Sequence, residues 1–221
     1  MRTSPENTIE ALLRAKQEGV DGIEFDVQLS ADGELFLFHD DNALRVCGRD
    51  VPVAGLNWRE LKELKVFGRY AIPHLDDALA GMEGWPGAEL FLDLHQPSVP
   101  LAEAAGRRLA ASSMRDRSFI LDFYKSRRLL LAAKKAAPTV RLAVMPGLPW
   151  DTSASCDLGA SAISLGWDGK LTRVLYRAAC ALYDLPAQVA KAKARGVSVS
   201  GGVANEPAAV RYFVAQGMDA I

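Results

Sequence analysis

The sequence predicts an α/β protein on a parallel sheet, in the class of the TIM-type (β/α)8 barrel, and three observations carry that expectation. Short strand-like runs alternate with Ala-, Leu- and Arg-rich stretches from one end to the other, the order that lays helices over a parallel sheet. Seven strand candidates can be counted in 221 residues, against the eight strands and about 250 residues of a typical barrel. No G-x-G-x-x-G loop follows an early strand, so a doubly wound dinucleotide-binding sheet is disfavoured. A chain that opens on a helix and breaks off at GMDAI reads as a barrel lacking its first strand and last helix. One domain over 1–221 is expected, since no linker, repeat or low-complexity tract divides it.

The elements follow in order. Ser4-Pro5-Glu6 reads as a helix start with Pro5 at the first helical position, opening a helix over 6–19 that Gly19 stops. Residues 22–29 (GIEFDVQL) are the first strand, and 34–39 (ELFLFH) the second. The turn Ser30-Ala31-Asp32-Gly33 between them is too short for a helical crossover, so the second returns as a hairpin or as a helix-less step of a barrel. Helices are expected over 58–66 and 74–82, where apolar residues recur three or four apart. The remaining strands are 88–95, 118–123, 140–145, 161–166 and 197–202, with helices over 100–113, 126–137, 171–183 and 185–196.

Composition narrows the function classes. Apolar residues are 49% and charged residues 24% of the chain, which excludes a disordered or coiled-coil protein. Lysine plus arginine is 26 against 27 acidic residues, a net charge of −1; non-specific nucleic-acid binding needs a concentrated positive field, so no nucleic-acid partner is expected. Apolar runs such as FILDF and LLLAA fall far short of the roughly 20 residues that cross a bilayer. With no basic-then-apolar leader visible, a cytoplasmic location is expected. Cys47, Cys156 and Cys180 are odd in number and form no C-x-x-C pair, so they read as packing residues in a reducing compartment.

Chemistry concentrates on a few strand residues. Glu24 and Asp26 share one face of the first strand while Ile23, Phe25 and Val27 take the other. Two carboxylates that close repel and lose hydration unless a cation sits between them, and oxygen ligands suit a hard ion such as Mg²⁺ or Ca²⁺. A solvated acidic face on an edge strand gives the same alternation. A hairpin centred on Asp32 brings His39 opposite Asp26 or its neighbours. Imidazole suits proton transfer near neutrality, although a lone histidine at a strand end is more often one satisfied by backbone. In LFLDLH, Asp93 falls on the face of Phe91 and His95, where it would serve as a third oxygen ligand or as half of a structural salt bridge. His74 reads as a helix cap or turn residue, and Trp85, Tyr124, Trp150 and Trp167 as core or loop packing ahead of the alternative of a pocket wall.

These residues stand in an ordered set of short motifs: P-E-N-T at Pro5–Thr8, E-x-D at Glu24 and Asp26, D-G at Asp32-Gly33, and H-D at His39-Asp40. In order and spacing they resemble the N-terminal half of the glycerophosphodiester phosphodiesterase family. The likeness is strong over 5–46, continues in LNWRELKELKV, IPHLDDAL and LFLDLH, and is looser beyond 95. The resemblance implies a TIM-type barrel that hydrolyses glycerophosphodiesters, small-molecule substrates, to glycerol 3-phosphate and an alcohol. It also implies one divalent cation, Ca²⁺ or Mg²⁺, and two catalytic histidines. By match of motif, Glu24 and Asp26 are metal ligands and His39 is one catalytic histidine. Asp93 stands where the family has glutamate, and His95 where it has lysine near the phosphate. The family's H-R-G motif should end just before P-E-N-T; Met1-Arg2-Thr3-Ser4 does not supply it, so an incomplete, impaired chain is expected. Ser200–Asn205 replace the family's W-T-V-N, removing an aromatic wall from the glycerol pocket. A degenerate barrel that binds a phosphorylated ligand or partner without turnover is the rival expectation, and a phosphodiesterase acting on lysophospholipids or sphingolipids is a third.

Overall fold

In the computed structural model, which describes residues 4–167, 170–202 and 204–221, the strand that carries Glu24 and Asp26 lies between a hairpin arm and a parallel neighbour. The chain gathers into two compact units, Met1–Ile120 with Arg128–Val140, and Leu121–Arg127 with Arg141–Ile221.

The first unit begins with α1 (Ile9–Glu18) and β1 (Gly22–Leu29). The helix starts later than Pro5, a correction with a local cause: Asn7 sits at φ +53°, outside the right-handed helix, and its side chain is bound to Asp26. Thr8 becomes the cap instead, accepting from the Ala11 N–H at 3.2 Å. Gly19 closes the helix in the left-handed conformation, as expected. β2 (Leu35–Leu37) returns antiparallel to β1, with Val27 opposite Leu37, so the hairpin is the alternative realised. Ser30 Oγ donates to Asp32 and accepts from the Glu34 N–H, and Gly33 supplies the positive φ of +89° that the turn requires.

After α2 (Leu44–Cys47), α3 (Trp58–Glu63) stops three residues short of the expected end. Leu64 turns extended at ψ 145°, and Lys65–Val66 pair as β3 with Tyr70–Ala71 as β4 in a separate two-stranded sheet. The stop lets Leu64 and β-branched Val66 join Phe36, Phe38, Val46, Val53 and Ile72 in a small buried core, against which Cys47 packs; full burial of each such side chain stabilises by about 1.5–3 kcal/mol. α4 (Leu75–Glu83) is capped by His74, whose Nδ1 accepts from the Asp76 N–H while Nε2 faces Glu34 at 3.1 Å. The capping role read from the sequence is borne out. α4 packs on α1 so closely that a Cβ at Gly81 would lie 3.2 Å from Leu12. β5 (Glu89–Leu94) then pairs parallel with β1 in a register that sets Asp26 beside Asp93. α5 (Val99–Ala110) leads to β6 (Ser118–Phe123), whose residues after Ile120 belong to the second unit, and α6 (Arg127–Ala136) follows, in the first unit from Arg128.

In the second unit, β7 (Arg141–Met145), β8 (Ala162–Gly166) and β9 (Ser198–Gly202) form parallel pairs, Ala143 beside Ala162 and Gly166 beside Gly202. α7 (Asp151–Asp157) has no counterpart among the sequence expectations, since Asp, Thr and Ser in its turn are weak helix formers. α8 (Lys170–Leu182), α9 (Leu185–Ala194) and α10 (Pro207–Ala215) complete it. Cys156 and Cys180 are buried and free, as packing residues should be. Trp167 stacks on Phe213 at 4.7 Å between centroids and also lines a mostly apolar cavity of about 370 Å³ with Phe123, Leu148 and Tyr176. Trp85 is buried, whereas Trp150 is 44% exposed and leans on Tyr183. Of the stretch Ser200–Asn205, Val203 lies outside the described residues, as do Met1 to Thr3.

At Gly201 the last strand leaves no room for a larger residue. A Cβ there would meet the Phe213 ring at 2.4 Å. Gly201→Ala is therefore expected to destabilise the protein by roughly 1–3 kcal/mol, the usual cost of overpacking, read as a lower urea midpoint at unchanged slope. Among the described residues no helix is long and apolar enough to cross a membrane.

Candidate active site

The strand alternation of β1 and β5 builds the site. Glu24 and Asp26 project from one face of β1, and the parallel register brings Asp93 alongside Asp26. Each carboxylate offers an oxygen within 4.8 Å of the others. Ligands of one hard cation at 2.1–2.5 Å lie at most about 5 Å apart, so this donor set could hold a divalent ion. The alternative of a solvated acidic edge does not describe Asp26, which is 8% exposed.

Asp26 is held from two sides. Asn7 Nδ2 donates to its Oδ2 at 2.6 Å, while the Asp26 N–H donates to Asn7 Oδ1 at 3.0 Å. His95 Nδ1 lies 2.9 Å from Oδ1. Burial pushes the Asp26 carboxyl up, but the hydrogen bonds from His95 and Asn7 outweigh it and hold the group below the ordinary value. The Asp26 hydrogen bond raises His95 against the opposing effect of burial. Glu24 is pushed up to about 8, first by loss of hydration and then by Asp26 and Asp93. Its side chain keeps solvent contact, and the Asp26 and Asp93 carboxylates repel its charged form.

His39 stands just past β2, its ring 4.2 Å from that of His95. Its Nδ1 lies 2.7 Å from Asp40 Oδ1. Asp40 in turn accepts from Arg45 at 2.6 and 2.8 Å, and Arg45 also pairs with Glu6. The loop carrying His39 is pinned to β1 by Gln28, whose Nε2 donates to the carbonyls of Phe38 and Asp40, both at 2.9 Å. Gln96 donates to Gln28 Oε1 at 3.1 Å and fixes its amide. All four residues singled out in the sequence, Glu24, Asp26, Asp93 and His39, thus lie in one region of the first unit.

Sequence reasoning missed the supports. Gln28 was visible as the next polar residue on the face of Glu24 and Asp26, an unexpected amide in an apolar strand. The contacts of Asn7 and Arg45 span 19 and 39 residues, and no local period announces them.

Arg45 holds the Asp40 carboxyl below its ordinary 3.8, chiefly by hydrogen bonding, with burial opposing and His39 assisting. A depressed carboxyl contributes stability that is present above 3.8 and lost as pH falls through the folded value. Arg45→Ala should cost under about 1 kcal/mol near neutrality, because the guanidinium is half exposed. In paired urea titrations the deficit should shrink as pH falls progressively below 3.8; a deficit constant with pH would assign the loss to packing.

Comparison with known proteins now bears on this geometry. A sequence model of the glycerophosphoryl diester phosphodiesterase family matches residues 2–221. A glycerophosphodiester phosphodiesterase of Caldanaerobacter subterraneus is 45% identical over 60 residues, 27% of this chain and 25% of the relative. The chain thus matches about a quarter of that relative's length. Among solved structures, a glycerophosphodiester phosphodiesterase from Parabacteroides distasonis superposes with a TM-score of 0.77 at 20% identity, over 100% of this chain and 87% of its own. A phosphodiesterase of Oleispira antarctica, solved with the product sn-glycerol-3-phosphate, gives 0.78 at 24% identity, over 99% and 87%. These likenesses establish the α/β barrel class that the sequence predicts.

Proposed function

The chain belongs to the glycerophosphoryl diester phosphodiesterase family, and on that premise we propose that it hydrolyses glycerophosphodiesters to glycerol 3-phosphate and an alcohol. The observation that carries the reading is the set of three carboxylate oxygens within 4.8 Å of one another, with an imidazole pair against it. Glu24, Asp26 and Asp93 would hold one divalent cation, Mg²⁺ or Ca²⁺. A cation bound there supplies charge neutralisation at a non-bridging phosphate oxygen and alignment of the diester. His39 transfers a proton at an oxygen of the scissile diester; the Asp40 contact at Nδ1 leaves Nε2 as the atom that does so. Asn7 and His95 are positioning residues that fix the Asp26 carboxylate. The glycerol 3-phosphate in the Oleispira structure supports the same product here.

The experiment is release of glycerol 3-phosphate from glycerophosphocholine. Turnover should require Mg²⁺ or Ca²⁺, stop with a chelator and return when the ion is restored. Tight binding of the diester without turnover, in either ion, would overturn the reading in favour of a ligand-binding barrel.

A further inference from the structure

A second donor set overlaps the first. Asp26, His39 and His95 each offer one ligand atom, again within 4.8 Å of one another. Its chemistry differs: two imidazoles and one carboxylate in place of three carboxylates. Hard Mg²⁺ and Ca²⁺ prefer oxygen, whereas imidazole suits Zn²⁺ and its borderline neighbours.

Three features make this set more than a coincidence of histidines. Asp26 Oδ1 and His95 Nδ1 lie 2.9 Å apart, close to the roughly 3.0–3.4 Å between adjacent ligands on an ion with bonds of about 2.1 Å. The two rings are 4.2 Å apart between centroids, so both reach one space. His39 is braced at Nδ1 by Asp40 at 2.7 Å, the outer carboxylate contact that ligating histidines commonly have, and Nε2 is left as donor. A further grouping of His39 with Glu6 and Asp40 exists, but Arg45 engages both of its carboxylates and opposes a cation there.

We propose that Asp26, His39 and His95 form a second metal site selective for a borderline ion of the Zn²⁺ class, and that an ion there removes His39 from proton transfer. The inhibitory half rests on the function read above; the binding half does not. Occupancy replaces the Asp26–His95 hydrogen bond with two bonds to the ion and displaces any proton on the ligating nitrogens.

The test is a Zn²⁺ titration of the full chain by calorimetry with Mg²⁺ in excess, repeated with Co²⁺ to read nitrogen ligation from its visible absorption. The unaltered chain should bind one Zn²⁺. His95→Ala should weaken Zn²⁺ by at least about 100-fold and Mg²⁺ by less than about tenfold. His95→Asn, which can still donate to Asp26 but is a poor zinc ligand, should behave alike and guards against a folding failure. One equivalent of Zn²⁺ should lower Mg²⁺-supported turnover of glycerophosphocholine at least tenfold. Zn²⁺ affinity unchanged in both variants, or lost in step with Mg²⁺, overturns the site. Zn²⁺ bound through His95 with turnover intact overturns the claim on His39. Turnover absent without Zn²⁺ counts against the enzymatic reading alone, since binding is measured independently.

Discussion

Asp26→Asn should abolish measurable turnover, a loss of about 10³-fold or more, while the fold survives. Asparagine keeps the size of Asp26 and an oxygen that can accept from Asn7 or His95, so the bonds at 2.6 and 2.9 Å need not all be lost. What disappears is the charge. Without a bound ion that loss relieves repulsion, because Asp26 and Asp93 add to the loss of hydration that pushes Glu24 up. With an ion present it removes an anionic ligand from the centre of the set, and several kcal/mol of transition-state charge stabilisation go with it. Two measurements separate these effects. Saturating Mg²⁺ should raise the stability of the unaltered protein by about 2.7 kcal/mol at a hundredfold excess over its Kd, and should leave Asp26→Asn nearly unmoved. Activity within tenfold of the unaltered protein would remove Asp26 from the proposed ligand set.

Much of this was legible because it is written in a period of two. β1 and β5 alternate in the sequence, so Glu24 and Asp26 could be placed on one face of β1 and Asp93 on the face of Phe91 and His95 in β5. The match in register between Asp26 and Asp93 is a property of the parallel pair, and no local pattern fixes it. All seven expected strands are present to within two residues at each end. Boundaries failed where a distant partner decided the backbone. Asn7 leaves the helix to bind Asp26, and Leu64 leaves it so that Val66 can enter a core built from Phe36 and Ile72. The shell around the site failed for the same reason: Arg45 reaches Glu6 across 39 residues, and Gln96 reaches Gln28 across 68. The sequence marked the groups that could do chemistry, because such groups are anomalous on apolar strands. The supports outside the short motifs, Gln28, Arg45 and Gln96, are ordinary polar residues, distinguished only by where the chain brings them.

His39→Ala should lower turnover by about 10²–10⁴, the range for loss of a general acid or base, and should differ from Asp26→Asn in a way that identifies its role. His39 is not among the three carboxylates, so Mg²⁺-dependent stabilisation should be retained in full. The side chain is half exposed, so its removal should cost little stability. The loss belongs in kcat more than in KM, since proton transfer acts on the transition state. Asp40→Asn provides the companion measurement. It weakens the 2.7 Å contact that orients the ring while keeping the imidazole, and should therefore give a smaller loss than His39→Ala. The two together should not exceed His39→Ala alone, because an orienting carboxylate has nothing to orient once the ring is gone. A double variant whose losses multiply would show that Asp40 acts independently of His39, and a His39→Ala protein retaining more than a tenth of the activity would assign the proton transfer elsewhere.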